Sequence, residues 1–296
     1  MKIIDCTTYY SEDLMLDVRF NILNEYVDKF IIVESKFSHS GKPKQLNFDI
    51  DNFKKFKDKI EYLVIEKEPD GIDPNLDNIS AIKRTNSLLR IEQSYNYMIN
   101  ALDEVSDNDL VCLSDNDEIP NFDSQHFKSS KNDIFIFKQL FFYYKFNLFY
   151  NLMPWYGTKA CKKKKLVSFS WLRNLKAKKY PFWRLDTVFS SLKQRNLQIV
   201  ENGGWHFTNL MTAENIYTKL SNFGHHNEFD ASGVTVKEIQ KCIDNRIVNY
   251  DHQADKIESE KYGASYELEI MKDDLLPKYL VSNKEKYKDW FDNLDD

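Results

Sequence analysis

The segment Ser114-Asp115-Asn116-Asp117-Glu118-Ile119-Pro120 sets two carboxylates two residues apart, directly after the apolar run Leu110-Val111-Cys112-Leu113. In extended backbone, residues at that spacing point the same way. Asp115 and Asp117 can therefore converge on one hard divalent cation, which prefers oxygen ligands and is commonly completed by substrate phosphates. As a Lewis acid, such a cation neutralises a departing diphosphate. The same pair of acids can also do no more than cap a helix. A calcium loop is disfavoured, because Pro120 occupies the sixth position, where an EF-hand turn needs glycine.

The elements around this turn read as an α/β sheet. Lys2 to Thr7 is a strand, and Ser11-Glu12-Asp13 caps a helix with apolar residues at Leu16, Phe20, Leu23 and Val27. Phe30 to Val33 and Tyr62 to Ile65 are short continuous apolar strands, the former ending at Glu34. Phe37 to Leu46 is a loop at a strand's carboxyl end, where open α/β sheets carry ligands. A helix through Leu88, Ile91, Tyr95, Met98 and Leu102 feeds the strand before the acidic turn. Ile134 to Tyr150 predicts two aromatic-rich strands. Lys162 to Lys165 and Lys176 to Lys179 form a basic stretch, either a solvated loop or a lid that closes on a diphosphate. Beyond Gly233 the sequence predicts helix nearly to the end, so a catalytic domain over 1–232 and a helical extension over 233–296 are expected.

Composition narrows the function classes. A chain of 296 residues with 42% hydrophobic content buries a substantial core. Its 41 basic and 46 acidic residues leave a net charge of −5, so the molecule as a whole offers no footprint for nucleic acid or an anionic membrane, and phosphate binding must be local. The four cysteines are widely spaced and indicate no disulfide framework. No stretch approaches the roughly 18 consecutive apolar residues of a membrane span. A cytoplasmic enzyme is expected.

Leu16-Asp17-Val18-Arg19-Phe20, Val27 to Ser35, Gly41-Lys42-Pro43, Asp115 to Pro120 and Gly204-Trp205-His206-Phe207 occur in the same order as in glycosyltransferase family 17, which this chain resembles. The similarity resumes at Ile216-Tyr217-Thr218-Lys219-Leu220 and Pro277-Lys278-Tyr279-Leu280. What the resemblance implies is a GT-A fold, with a mixed, mostly parallel sheet flanked by helices. It also implies UDP-N-acetylglucosamine as donor, Mn²⁺ or Mg²⁺ as cofactor, and transfer with inversion to a glycan hydroxyl. The chain departs from animal members in lacking a membrane anchor and stem, which leaves the acceptor open.

On that basis Asp115 and Asp117 are the expected metal ligands, and His226 joins them by analogy with other GT-A enzymes. Glu34 stands where a nucleotide would lay its base and ribose, and can accept their hydrogen bonds. Lys42, Asp115 and Trp205 are further donor-side candidates, and Arg84 or Arg90 can offer a phosphate the guanidinium fork. Trp205 and Trp155 can stack on sugar rings. His206 can serve as metal ligand, phosphate donor or base. The candidate general bases are Glu118, His206 and Glu228, since a metal would depress the basicity of Asp115 and Asp117. Three alternatives stand beside this reading: a transferase with another UDP-hexose donor; a metal-dependent phosphohydrolase, for which no second His and Asp cluster is visible; and a carbohydrate-binding module, which the 15% aromatic content would suit.

Overall fold

The structure, a computed structural model, describes residues 1–73, 80–181, 183–222, 226–252 and 261–292; for 80, 81 and 226–228 it describes the backbone alone. β1 (Ile3–Thr8) lies between β2 (Lys29–Ser35) and β4 (Leu110–Ser114), and β3 (Ile60–Ile65) extends the sheet beyond β2, all four parallel. The inner positions of β1, β2 and β4 are buried on both faces, which is why β2 and β4 carry the continuous apolar runs Phe30–Val33 and Leu110–Leu113, while β1 also buries Asp5 and Thr7. Phe30 and Ile32 face a cluster with Leu16, Phe20 and Leu23 of helix α1 (Asp13–Leu23). Their neighbours Ile31 and Val33 face the opposite cluster, with Tyr95 of α2 (Ser80–Asn96) and the following Met98.

After β4 come the short β5 (Glu118–Pro120), helix α3 (Gln125–Lys128), β6 (Ile134–Tyr143), β7 (Leu148–Phe149) and β8 (Trp155–Lys162). β8 runs antiparallel to both β4 and β6 and joins the two halves of the sheet. Helix α4 (Phe169–Asn174) leads to β9 (Gln198–Val200) and β10 (Gly204–Thr208), both parallel to β6, and β10 also pairs antiparallel with β5. The result is the expected α/β class: a mixed sheet flanked by helices, its first four strands parallel.

The C-terminal segment departs from the helical expectation. Helices α5 (Ala213–Asn222), α6 (His226–Ser232) and α7 (Val236–Asp244) follow β10, and the Thr235–Glu238 capping box fixes the start of α7. Then β11 (Ile247–Tyr250) and β12 (Tyr262–Glu267) pair antiparallel, and β13 (Glu269–Ile270) joins the main sheet beside β7. Half-buried Tyr262, Ala264 and Tyr266 alternate with exposed residues, the period of a strand rather than a helix. Leu276, Tyr287, Phe291 and Leu280 of α8 (Lys278–Ser282) pack into the same cluster as α1, so this segment completes the first core.

The basic stretch divides in two. Lys162 pairs with Asp133 at 2.6 Å, just before β6, and Lys163 donates to the carbonyls of Leu102 and Val105 at 2.7 Å, tying the end of β8 to the loop before β4. Lys176 to Lys179 follow α4, whose end lies at the acidic turn. All four cysteines are free, with Cys6, Cys112 and Cys161 buried. No described helix is long and apolar enough to cross a membrane.

Candidate active site

The carboxyl ends of β1, β2 and β4 open on one cavity, the place where open α/β sheets hold ligands. Tyr10 and Ser35 line it from the ends of β1 and β2, His39 and Lys44 from the loop after β2, and Asp115, Asn116 and Asp117 from the turn after β4. Tyr95 of α2, Arg173 of α4 and Lys219 of α5 complete the wall.

The two aspartates have different surroundings. The Tyr95 hydroxyl donates to one Asp115 oxygen, and Arg173 reaches the other at 3.2 Å while lying 4.9 Å over the Tyr95 ring. Burial works to raise the Asp115 carboxyl, but Arg173 and Tyr95 outweigh it and hold it at about 2. Asp117 instead faces Lys219, 3.4 Å from Oδ2, and His206, whose Nδ1 is 3.9 Å from Oδ1. Glu118 folds back beneath the turn: Oε2 accepts the Asp115 N–H at 2.9 Å and Oε1 accepts the Trp155 indole N–H at 2.7 Å. Burial first, then the charge of Asp115, pushes Glu118 up to about 8, so it keeps its proton at neutral pH.

His206 is 5% exposed and lies between Trp155 and Phe141, with ring centroids 4.4 and 4.8 Å away. Its Nδ1 is buried without a hydrogen-bond partner. Burial lowers its pKa, against the opposing charges of Asp117 and Asp115. Trp205 corrects the sequence expectation. Strand alternation turns it to the opposite face of β10, where its indole donates to the Leu275 carbonyl at 2.8 Å and lines a separate trench of about 1050 Å³. Trp155 is the tryptophan that packs on His206 and bonds to Glu118 beneath the turn. Gly204 permits this packing: its φ is +119°, and a Cβ there would lie 2.1 Å from the Ile119 carbonyl oxygen.

Other donor-side candidates shape the cavity from behind. Glu34 is fully buried, and its oxygens accept from Lys44 Nζ, the Asn47 and Phe48 N–H groups at 2.9 and 3.1 Å, and the Tyr62 hydroxyl at 2.8 Å. It organises the loop after β2 and does not line the cavity. Arg90 holds the same loop: it grips Glu68 with two bonds of 2.8 and 3.0 Å, donates to the His39 carbonyl, and lies where a Cβ on Gly41 would come within 2.5 Å of its guanidinium. Lys42 is exposed at the turn, while Lys44, two residues on, lines the wall. Arg84 is exposed on α2. The backbones of His226 and Glu228 lie in α6, and their side chains fall outside the described residues.

Sequence reasoning passed over Arg173, Lys219, Tyr95 and Lys44. Lys219 stands inside the quoted Ile216 to Leu220 motif, which was its one signal; Tyr95 reads only as part of an apolar helix face. As for a cation, no three His, Cys, Asp or Glu groups among the described residues form a ready-made cluster. The partnerless Nδ1 of His206 beside Asp117 nonetheless fits a two-residue protein share of a coordination shell, the rest supplied by phosphate and water.

Against known proteins, the chain matches the family model described as Glycosyltransferase family 17 over residues 1–291. No curated protein sequence matches it. Among solved structures, HddC from Yersinia pseudotuberculosis is similar at 12% identity and a TM-score of 0.34, over 67% of this chain and 89% of that one. The inositol-1-phosphate CTP transferase from T. maritima is similar at 12% identity and a TM-score of 0.33, over 68% of this chain and 85% of that one. Similarity at this level carries no argument about chemistry.

Proposed function

The chain belongs to glycosyltransferase family 17, and from that premise we propose that it moves N-acetylglucosamine from UDP-N-acetylglucosamine, with inversion, to a hydroxyl of a glycan acceptor. Membership makes it a sugar-transferring enzyme with a donor and an acceptor. The finer reading rests on one observation. Three carboxylates, Glu12, Asp115 and Asp117, and three cations, Arg173, Lys219 and Lys44, line a single cavity at the carboxyl edge of the parallel strands. That charge pattern suits a metal-bound diphosphate.

In this reading Asp117 and His206 Nδ1 hold Mn²⁺ or Mg²⁺. The bound cation supplies charge neutralisation on the diphosphate as its bond to the sugar breaks. Arg173 and Lys219 donate to the phosphate oxygens, and Asp115 with Tyr95 fixes the direction of the Arg173 fork. The loop held by Glu34 and Arg90 presents His39 and Lys44 to the nucleoside side. Inversion needs a base on the acceptor face. Glu118 already accepts from Trp155 and from the Asp115 N–H, which makes it a support for the turn. With His206 turned to Asp117, Glu228 is the base of choice.

Calorimetric titration with UDP-N-acetylglucosamine, with and without Mn²⁺, tests this. Binding should require the cation and weaken roughly 100-fold or more in Asp117→Ala, with turnover lost in Asp115→Ala. Tight binding that survives both chelation and these substitutions overturns the metal-bridged reading.

A further inference from the structure

Between α4 and β9 the chain makes an excursion whose polar groups bond to one another and to α4, and so fasten it. Thr187 is buried and accepts from Arg195 Nε at 2.6 Å, Asp186 is gripped by Arg184 at 2.7 Å and Lys193 at 2.6 Å, and the Trp171 indole donates to the Ser191 carbonyl at 2.8 Å. Its apolar groups turn outward. Trp183 is 66% exposed, Leu185 70%, Val188 67% and Phe189 90%. Scattered single apolar residues on a surface are ordinary, but four within seven positions on a fastened loop form a patch.

Charge distinguishes the partners such a patch can take. From Arg173 to Arg195 there are seven Lys and Arg against the single Asp186, in a chain whose net charge is −5. That one acid is already neutralised within the loop. Lys176, Lys178 and Lys179, a few residues before the patch in sequence, are exposed. Aromatic and aliphatic side chains flanked by lysines match the boundary of a bilayer, where rings settle among headgroups and cations meet anionic lipid.

We propose that the segment Trp183–Phe189, with Lys176, Lys178 and Lys179, docks this enzyme on an anionic lipid surface. The excursion follows directly on α4, whose Arg173 pairs with Asp115 of the cavity. The proposal goes beyond the transferase reading and does not depend on it.

The full chain should sediment with vesicles of phosphatidylcholine mixed with phosphatidylglycerol and stay in solution with phosphatidylcholine alone. Added salt should weaken the binding, since the screening length is about 8 Å at physiological ionic strength. Leu185→Ser with Phe189→Ser should abolish it, and Lys178→Glu with Lys179→Glu should reduce it roughly tenfold or more, both with unchanged near-ultraviolet circular dichroism. Failure to bind anionic vesicles overturns the proposal. So does binding indifferent to both variants, or a dimer that Phe189→Ser dissociates in a protein that ignores vesicles. Loss of nucleotide binding in the wild type would count against the transferase reading alone and leave the docking result standing.

Discussion

Asp5 and Arg19 are a buried charged pair, and Asp117 and Glu118 of the turn after β4 are buried acids, yet the two groups are closed in different ways. Arg19 donates to both Asp5 oxygens, at 2.7 and 2.5 Å, and its remaining nitrogen donates to the Glu118 carbonyl. Both side chains are wholly out of solvent, and charge and hydrogen bonds are matched within the protein. One layer away, Asp115, Asp117 and Glu118 crowd together, Glu118 is forced to keep a proton, and His206 Nδ1 has no partner. A buried charge that the protein itself completes supports the fold, whereas one left incomplete waits for charge brought by a ligand.

Breaking the completed pair should have the largest effect. Arg19→Met leaves Asp5 uncompensated and removes the donor that steadies β5, so the denaturant midpoint should report a loss of roughly 3–5 kcal/mol. The double variant Asp5→Leu with Arg19→Met should recover much of that. A small loss in the single variant would erase the distinction between the two clusters.

The incomplete cluster should respond through pH, measured under chelation. The folded chain holds a proton on Glu118 that the unfolded chain releases, so the stability this group contributes is full below its ordinary 4.5 and lost as pH rises through about 8. His206 acts oppositely: burial lowers its pKa, and its contribution is lost as pH falls below its ordinary 6.5. Between pH 6.5 and 8 the wild-type Tm should therefore fall, while that of Glu118→Gln stays nearly level. Parallel curves would mean that the turn is not under charge strain.

The smallest effect sharpens the comparison at its edge. Lys159, lowered to about 8 by burial, donates to the carbonyls of Arg173 and Leu175 and so fixes the end of α4. It does not line the cavity. Lys159→Met should weaken donor binding roughly fivefold, about 1 kcal/mol, by calorimetry, with little change in Tm.

Much of the sheet was legible because β2 and β4 are buried on both faces and carry the unbroken apolar runs Phe30–Val33 and Leu110–Leu113. The acidic turn was legible for the same reason, since it follows directly on β4. Arg173 and Lys219 were not, because they reach the turn across 58 and 102 residues of sequence, a pairing that local spacing cannot encode. Glu34 shows another limit. A glutamate ending a strand looks the same whether its acceptor oxygens meet a ribose or, as here, the N–H groups of its own loop. The hairpin of β11 and β12 was lost to helix because β12 offers only three alternating residues, Tyr262, Ala264 and Tyr266.

β10 is clamped between β5 and β6, and neither Gly203 nor Gly204 has room for a side chain. Adjacent residues on it serve opposite faces, His206 the acidic turn and Trp205 the trench. A slip of one residue would deliver an indole where the imidazole stands and take the indole from the trench. This stretch can therefore diversify over evolutionary time by exchanging residues in place, but not by gaining or losing one.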